Sequence, residues 1–573
     1  MVRTSGAAAG LPEAKRGYLK LTMGLGLGLL LVGVVLLRLG GLSFLTQWFL
    51  LRQDIPLLTL GLVIARFAAV RLRDGGGPPV PVGGGLVLSL AALLVLGGWL
   101  GHRFLLMGYD MSRDEQMATF DAVVFAQGRL VEPLAAMWRE NAAALNLLFM
   151  YTAQERVAWI SSYLPMNSAI RAVFAVFDMQ ALASPVLSAV GLVALWRCVR
   201  RLWPQDSGAL AIALVLYCTS GAVLVNAMTS YATTAHLALN LVWLALLLRG
   251  DARGDLGAIL AAFVATGLHQ PLPHPLFALP VLLLVARRDW RRGAVFFVAY
   301  CGICGFWLWW PHLVGPMVTE GAAAAPQAGL GFLSRLAGLF AQRDGLGLSE
   351  MGANLLRFVA WQHVLLVPLC CLALPLIRKE PMALALAGGV GLTVFAMAVI
   401  LPYQGHGFGY RYLHGLIGNM VLLAVYGWRQ VRGDGVAWRG YVRSATVLTA
   451  VVLLPLQAWM AHRFYAPYAQ TRAALLATDA DYVVVGVADV PFSADLVFNP
   501  PALDHRPVLL LREGLKPEGR AAICASGPTV AFAGAAMLGG IAAYYGVAPR
   551  PGTEAKNVEA ARLLEAEGCW ILP

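Results

Sequence analysis

Long uncharged runs alternate with short basic clusters along most of this chain. Each run is close to the roughly 20 apolar residues that an α-helix needs to cross about 30 Å of hydrocarbon. Thirteen runs read as membrane helices: 17–38, 55–71, 82–107, 181–197, 208–225, 235–249, 255–269, 272–286, 293–314, 362–377, 383–401, 412–428 and 444–460. No small-residue cleavage site of the A-x-A type follows the first, so it is expected to stay as a helix. Beyond 460 the pattern changes. Asp481–Val487 (DYVVVGV), Pro507–Leu511 (PVLLL) and Ala521–Cys524 read as short strands, and Val558–Glu567 as a helix. The pattern predicts an α-helical polytopic membrane domain over residues 1–460 and a small α/β domain over 461–573.

Composition agrees with a bilayer as the solvent. Of 573 residues, 59% are hydrophobic and only 13% charged, too apolar for a soluble chain of this size. Lys and Arg set the orientation. With the N-terminus inside, cytoplasmic segments collect Arg3, Lys15, Arg16 and Lys20, then Arg71 and Arg73, then Arg197, Arg200 and Arg201. Arg287, Arg288, Arg291 and Arg292 follow, then Arg378 and Lys379, then Arg429, Arg432, Arg439 and Arg443. An odd number of spans puts the C-terminal domain outside, in the periplasm of a Gram-negative cell. The net charge of +12 is then a topology signal at helix ends, and no nucleic-acid partner is needed to explain it.

Six of the eight cysteines lie in or beside hydrophobic runs and read as small apolar fillers, Cys301 and Cys304 among them. Cys524 and Cys569 alone belong to the exported domain, where an oxidising compartment lets them pair. No paired C-x-x-C pattern of a zinc ribbon is present.

Two segments on the outer face are too long to be simple connectors, 108–180 and 315–362. In the first, Asp114 stands where a helix N-cap would be, and Met117, Phe120 and Val124 repeat at helical spacing. A short amphipathic helix along the outer membrane surface is predicted, its cap turning Asp114 and Glu115 toward the mouth of the bundle. The same residues also read as an ordinary helix start, where carboxylates favour the positive end of the macrodipole.

A later outer turn reads Leu401-Pro-Tyr-Gln-Gly-His-Gly-Phe-Gly-Tyr-Arg-Tyr-Leu-His414. A lone Arg there could snorkel to the interface. Flanked by three glycines and two histidines, Arg411 reads as an anion clamp, with glycine allowing close backbone approach and the guanidinium offering a planar fork to phosphate oxygens. The turn at 267–275 adds His269 and His274 on the same face, each alone equally a satisfied structural histidine.

These residues carry a family resemblance. Ser112 to Leu130, an Asp-Glu pair followed by a helix and Gly-Arg-Leu, resembles the first outer loop of the GT-C superfamily of membrane glycosyltransferases. Gly407-Phe-Gly-Tyr-Arg-Tyr-Leu413 resembles the Gly-x-Arg-Tyr/Phe-Leu element of the bacterial mannosyltransferase-like and aminoarabinose-transferase-like members. Tyr231 to His236 (YATTAH) is similar to a tyrosine-histidine stretch that precedes a membrane helix in them. Many relatives have Arg-Pro where this chain has Gln270-Pro271, and most have one helix before the first outer loop where this chain has two. The second difference implies an N-terminal addition.

The resemblance implies a bacterial inner-membrane enzyme that takes a sugar from a polyprenyl phosphate in the outer leaflet and passes it, with inversion, to a glycan, lipid or protein acceptor. Its site would use Asp114 as the base and Arg411 as the phosphate clamp, with Tyr410, His406 and His269 as further phosphate-binding candidates. Glu115 would orient Asp114 or help hold a divalent cation, the one cofactor in question, since metal use varies across the superfamily. Two rival readings remain at this level. A polysaccharide polymerase or ligase also places Arg and His in outer loops. A transporter would carry inverted repeats and ionisable residues near the midplane, whereas the acids here cluster outside the spans.

Overall fold

The computed structural model describes residues 10–69, 73–74, 82–153, 155–320, 346–431 and 436–572. The basic positions Arg3, Arg71 and Arg432, and the stretch 321–345 of the second long outer segment, lie outside the described residues, as do the side chains of Lys15, Arg16, Arg73 and Arg439.

The described part of each of the thirteen predicted runs falls mainly on helix. Among the described residues, seven stretches are long and apolar enough to cross a membrane: Gly17–Leu39, Phe44–Ala68, Gly84–Leu105, Gln180–Leu202, Trp290–Val318, Pro381–Ile400 and Gly440–Leu476. The remaining runs are shorter helices of the same bundle. Three are broken: 208–225 into Ser207–Cys218 and Gly221–Asn226, where Ser220 caps the second piece, 362–377 into Leu366–Leu372 and Leu374–Ile377, with Pro375 opening the second, and 412–428 into Arg411–His414 and Ile417–Val431.

The second helix starts at Phe44, well before the predicted residue 55. Ser43 caps it, and a π-helical turn over Leu50–Asp54 carries it forward. Asp54 therefore lies inside a span, contrary to the expectation that acids stay outside. It is buried and paired with Arg357 of the helix Leu346–Ala360, Nη1 to Oδ1 2.9 Å. A buried charge persists in such surroundings only when paired.

The segment 108–180 is not a surface loop. Its helix Arg113–Ala126 is buried on most sides, with Glu115, Gln116, Met117, Phe120, Asp121 and Val124 all enclosed. The prediction of an amphipathic helix on the membrane surface is therefore corrected. One side packs against the helix Met166–Ala175 and the other against the C-terminal domain, so the polar positions on its back find partners instead of water. Phe120 meets Trp159 edge to face at 4.9 Å, and Trp159 donates to the Pro501 carbonyl at 3.1 Å. Asn146 and Asn141 reach the carbonyls of Ala494 and Gly519 at 2.7 and 3.0 Å. These bonds fasten the segment to the C-terminal domain.

That domain is built on four parallel strands in the order Val508–Leu511, Tyr482–Val485, Thr529–Phe532, Trp570–Ile571, with Tyr482 beside both Val508 and Val530. The two first strands are buried along their whole length, which is why they read as continuous apolar runs without alternation. Two boundaries differ from expectation. Ala521–Cys524 is the end of a helix, Pro517–Cys524, because Pro517 presets the first turn and the Ala-Ala that follows favours helix. The last membrane helix does not stop at 460 but continues to Leu476, so one continuous helix joins bundle and domain. Cys524 and Cys569 form the expected disulfide, Cα to Cα 4.7 Å.

Candidate active site

Ser112, not Asp114, caps the helix Arg113–Ala126. Its hydroxyl accepts from the Glu115 amide at 3.4 Å while the Glu115 carboxylate accepts from the Ser112 amide at 3.2 Å, a reciprocal capping box. Asp114 is thereby relieved of capping and points away from the helix, into a cavity of about 1420 Å³.

Arg411 enters the same cavity from the far end of the sequence. The turn before it needs its glycines: Gly405, Gly407 and Gly409 have φ of 70°, 142° and 70°, a region closed to most side chains. The Gln404 side chain accepts from the Arg411 amide at 2.9 Å, and the Gln404 carbonyl accepts from its Nη2. The guanidinium lies 4.7 Å over the Tyr231 ring. Its Nη1 donates to Asp114 Oδ2 at 2.6 Å, and the other carboxylate oxygen, Oδ1, accepts from the Tyr163 hydroxyl. Burial alone would raise the Asp114 carboxyl, but Arg411, then His269 and the Tyr163 hydroxyl, hold it down at about 2. The paired carboxylate keeps Arg411 firmly protonated against its own burial.

Two kinds of wall enclose this pair. Trp307, Leu308 and Pro311 come from one membrane-length helix and Thr393 and Ile400 from another, while Phe492 and Asp495 come from the C-terminal domain. An apolar wall, a fixed charge pair and a polar roof suit an amphiphile with an anionic head. The volume exceeds the roughly 300–1000 Å³ of most small-ligand sites, leaving room for two reactants.

No family model matches this chain, and no curated protein sequence matches it. Two crystal structures of ArnT from Cupriavidus metallidurans are similar to it. The one bound to undecaprenyl phosphate aligns with a TM-score of 0.48 at 14% identity, covering 73% of this chain and 86% of that chain. The apo state aligns with a TM-score of 0.45 at 14% identity, covering 82% and 90%.

Of the residues singled out from sequence, Asp114, Arg411, His269 and His406 all line the cavity. His269 stacks on Tyr163 with ring centres 3.8 Å apart. Burial pushes the His269 and His406 imidazoles down, to about 4 and about 3, so both are neutral near pH 7. Glu115 and Tyr410 do not line it. Glu115 sits behind the helix, where the Tyr465 hydroxyl and the Ser230 amide donate to it at 2.8 and 3.4 Å, and burial with Asp110 nearby raises its carboxyl. It fixes the entry of the helix that presents Asp114. Tyr410 is buried away from the cavity. His274 is enclosed in the bundle, bonded to Asn240 and the Tyr300 hydroxyl at 2.8 and 2.9 Å. No group of three or more His, Cys, Asp or Glu side chains that could hold a metal ion occurs among the described residues.

Several cavity residues carried no sequence signal, Tyr163, Phe492 and Asp495 among them. Tyr163 lies in an irregular stretch, and Phe492 and Asp495 belong to a domain with no recognisable motif. Tyr231 and His236 of the YATTAH stretch also line the cavity.

Proposed function

We propose that this chain is a membrane glycosyltransferase that moves a sugar from a polyprenyl-phosphate donor to an acceptor outside the cytoplasm, with inversion at the anomeric carbon. The observation that carries the reading is the meeting of Asp114 and Arg411 in a cavity walled on one side by membrane-length helices. The isoprenoid lies along those helices and its phosphate engages Arg411. The acceptor oxygen attacks the anomeric carbon while its proton passes to Asp114. The bond from that carbon to the phosphate oxygen breaks, and the electron pair leaves on the phosphate, where Arg411 stabilises it.

With Arg411 on its Oδ2, Asp114 is a weak base. A phosphate that takes over the guanidinium removes the strongest charge holding the carboxyl down, and the Asp114 pKa rises toward a useful value. The sugar-wide gap that this chemistry requires between base and clamp is absent in the resting pair, which are in contact. Phosphate binding has to open it.

Metal ions enter no step of this reading. The Asp54–Arg357 pair, the intramembrane charges that a transport reading would use, does not line the cavity.

The test is transfer of radiolabelled sugar from a polyprenyl-phosphate pool in membranes holding the full chain. Label reaching an acceptor only when the chain is present, and lost in Arg411→Ala, supports the reading; no transfer by the native chain overturns it. A reporter fused after the last residue should be active only outside the cytoplasm, and activity inside would overturn the sidedness.

A further inference from the structure

Two residues of the C-terminal domain reach the cavity, and both are held there at a cost. Phe492 has φ 57° and ψ 27°, a left-handed conformation that disfavours a bulky side chain by about 1–3 kcal/mol and persists only where the surroundings dictate it. It opens a single helical turn, Ser493–Leu496, whose backbone is fixed on several sides. The Ser493 hydroxyl donates to the Gly486 carbonyl at 2.7 Å, and the Asp495 carbonyl accepts from the Gln116 side chain at 2.7 Å.

The Asp495 carboxylate is the opposite. It is 8% exposed, lines the cavity, and accepts no hydrogen bond from any described residue. His406 lies beside it, Nδ1 to Oδ2 4.0 Å, with its own Nε2 buried without a partner, and Arg113, Asp114, Tyr109, Tyr403, Tyr468 and Tyr545 also face Asp495. Phe492 sets the imidazole by an edge-to-face contact at 4.3 Å. Asp114, by contrast, has both oxygens engaged. A buried carboxylate without hydrogen-bond donors loses stability, a loss that a ligand supplying them offsets. Burial pushes the Asp495 carboxyl up to about 7, with Arg113 opposing and Asp114 adding to the rise.

We infer that Asp495 and His406 form the acceptor subsite of this cavity and bind neighbouring hydroxyls of a sugar on the acceptor. The inference rests on the glycosyltransferase reading above. A pair of acceptor groups about 4 Å apart, one carboxylate and one neutral imidazole, matches two hydroxyls on adjacent ring carbons, each of which donates one hydrogen bond. The phosphate of the lipid donor is not the occupant, because a second carboxylate would repel it. Position agrees: Asp495 comes from the C-terminal domain and not from the membrane-length helices, so the acceptor would meet the anomeric carbon from the domain side.

The full chain and Asp495→Asn are compared in two assays. The first is binding of undecaprenyl phosphate to the purified protein in detergent. The second is transfer, in membranes from cells fed radiolabelled glucose, with linkage analysis of the labelled product. Asp495→Asn should bind undecaprenyl phosphate as the native chain does and lose transfer by about tenfold or more, with the new bond made to a sugar hydroxyl. Native-level transfer by Asp495→Asn, loss of undecaprenyl phosphate binding together with transfer, or a product bonded to a protein side chain overturns the inference and leaves the glycosyltransferase reading standing. No transfer by the native chain overturns both.

Discussion

Arg411 Nη1 lies 2.6 Å from Asp114 Oδ2, joining two residues 297 positions apart in sequence. The proposed base and the proposed phosphate clamp neutralise each other at rest. Tyr163 completes the arrangement by occupying the second carboxylate oxygen. Anything that engages Arg411 must compete with Asp114, and whatever wins frees the carboxylate. On the proposed reading, the pair would couple occupation of the phosphate position to activation of the base and so order the reaction: lipid donor first, acceptor second.

Asp114→Asn separates the two halves of that coupling. The amide keeps the shape but removes the charge that holds Arg411, so undecaprenyl phosphate should bind several-fold more tightly while transfer falls by about 10²–10⁴-fold. Arg411→Ala should weaken binding and abolish transfer together. Titration of each purified variant with undecaprenyl phosphate checks this; weaker binding by Asp114→Asn would mean the pair does not compete with phosphate.

The glycine turn makes a graded set of variants. A Cβ at Gly407 would stand 2.5 Å from Arg411 Cδ and 2.7 Å from Cγ, so Gly407→Ala must displace the clamp as well as strain a backbone at φ 142°. At Gly405 the nearest atom is Arg411 Nη2 at 3.7 Å, leaving only the cost of φ 70°, about 1–2 kcal/mol. Undecaprenyl phosphate affinity should fall by about tenfold or more in Gly407→Ala and little in Gly405→Ala. The reverse order would show that the turn does not set the position of Arg411.

Deep in the bundle, Arg357 holds the same turn from behind. It pairs with Asp54 at 2.9 Å, lies 3.8 Å over the Phe49 ring, and donates to the Gly407 carbonyl at 2.5 Å. Asp54→Ala leaves its charge buried and unpaired, which should cost about 3–5 kcal/mol and lower the thermal midpoint in detergent. Asp54→Leu combined with Arg357→Met should recover much of that stability yet still weaken undecaprenyl phosphate binding, since the Gly407 carbonyl loses its support. Full recovery of binding would assign the pair to stability alone.

The parts legible in sequence were those with a period or a composition of their own. Thirteen apolar runs stood out because a membrane helix has to be uncharged over its length. Arg411 stood out because glycines at alternate positions mark a backbone that side chains cannot follow. Asp54 had the opposite effect: a charge in an apolar run reads as the end of a span, and its partner is about 300 residues away. Asp114 was located but misread as the cap, although Ser112 and Glu115 carry the S-x-x-E spacing of a capping box. The short apolar segment 521–524 was ambiguous between strand and helix, as four residues without a period must be. Tyr163 and Asp495 were invisible because nothing in their neighbours distinguishes a tyrosine or aspartate facing a cavity from one facing water.

Asp495 should show its strain as a dependence of stability on pH. Its carboxyl is raised from an unfolded value near 3.9 to about 7, with desolvation the largest cause. Between those values the folded chain holds a proton there that the unfolded chain has released. Stability from this group is therefore complete below about pH 4 and is lost as pH rises toward 7. Asparagine carries no such charge. Relative to the native chain, Asp495→Asn should gain less at pH 5 than at pH 8, where the gain reaches a few degrees in thermal midpoint because the native carboxylate is ionised and without a hydrogen-bond donor. The gain comes with lost transfer, as expected when a stabilising change removes a binding group. Melting curves of the two proteins in one detergent at the two pH values make the comparison. Equal midpoints at pH 8, or a larger gain at pH 5, would mean that Asp495 already has a partner when folded, and its assignment to an acceptor hydroxyl would lose its physical basis.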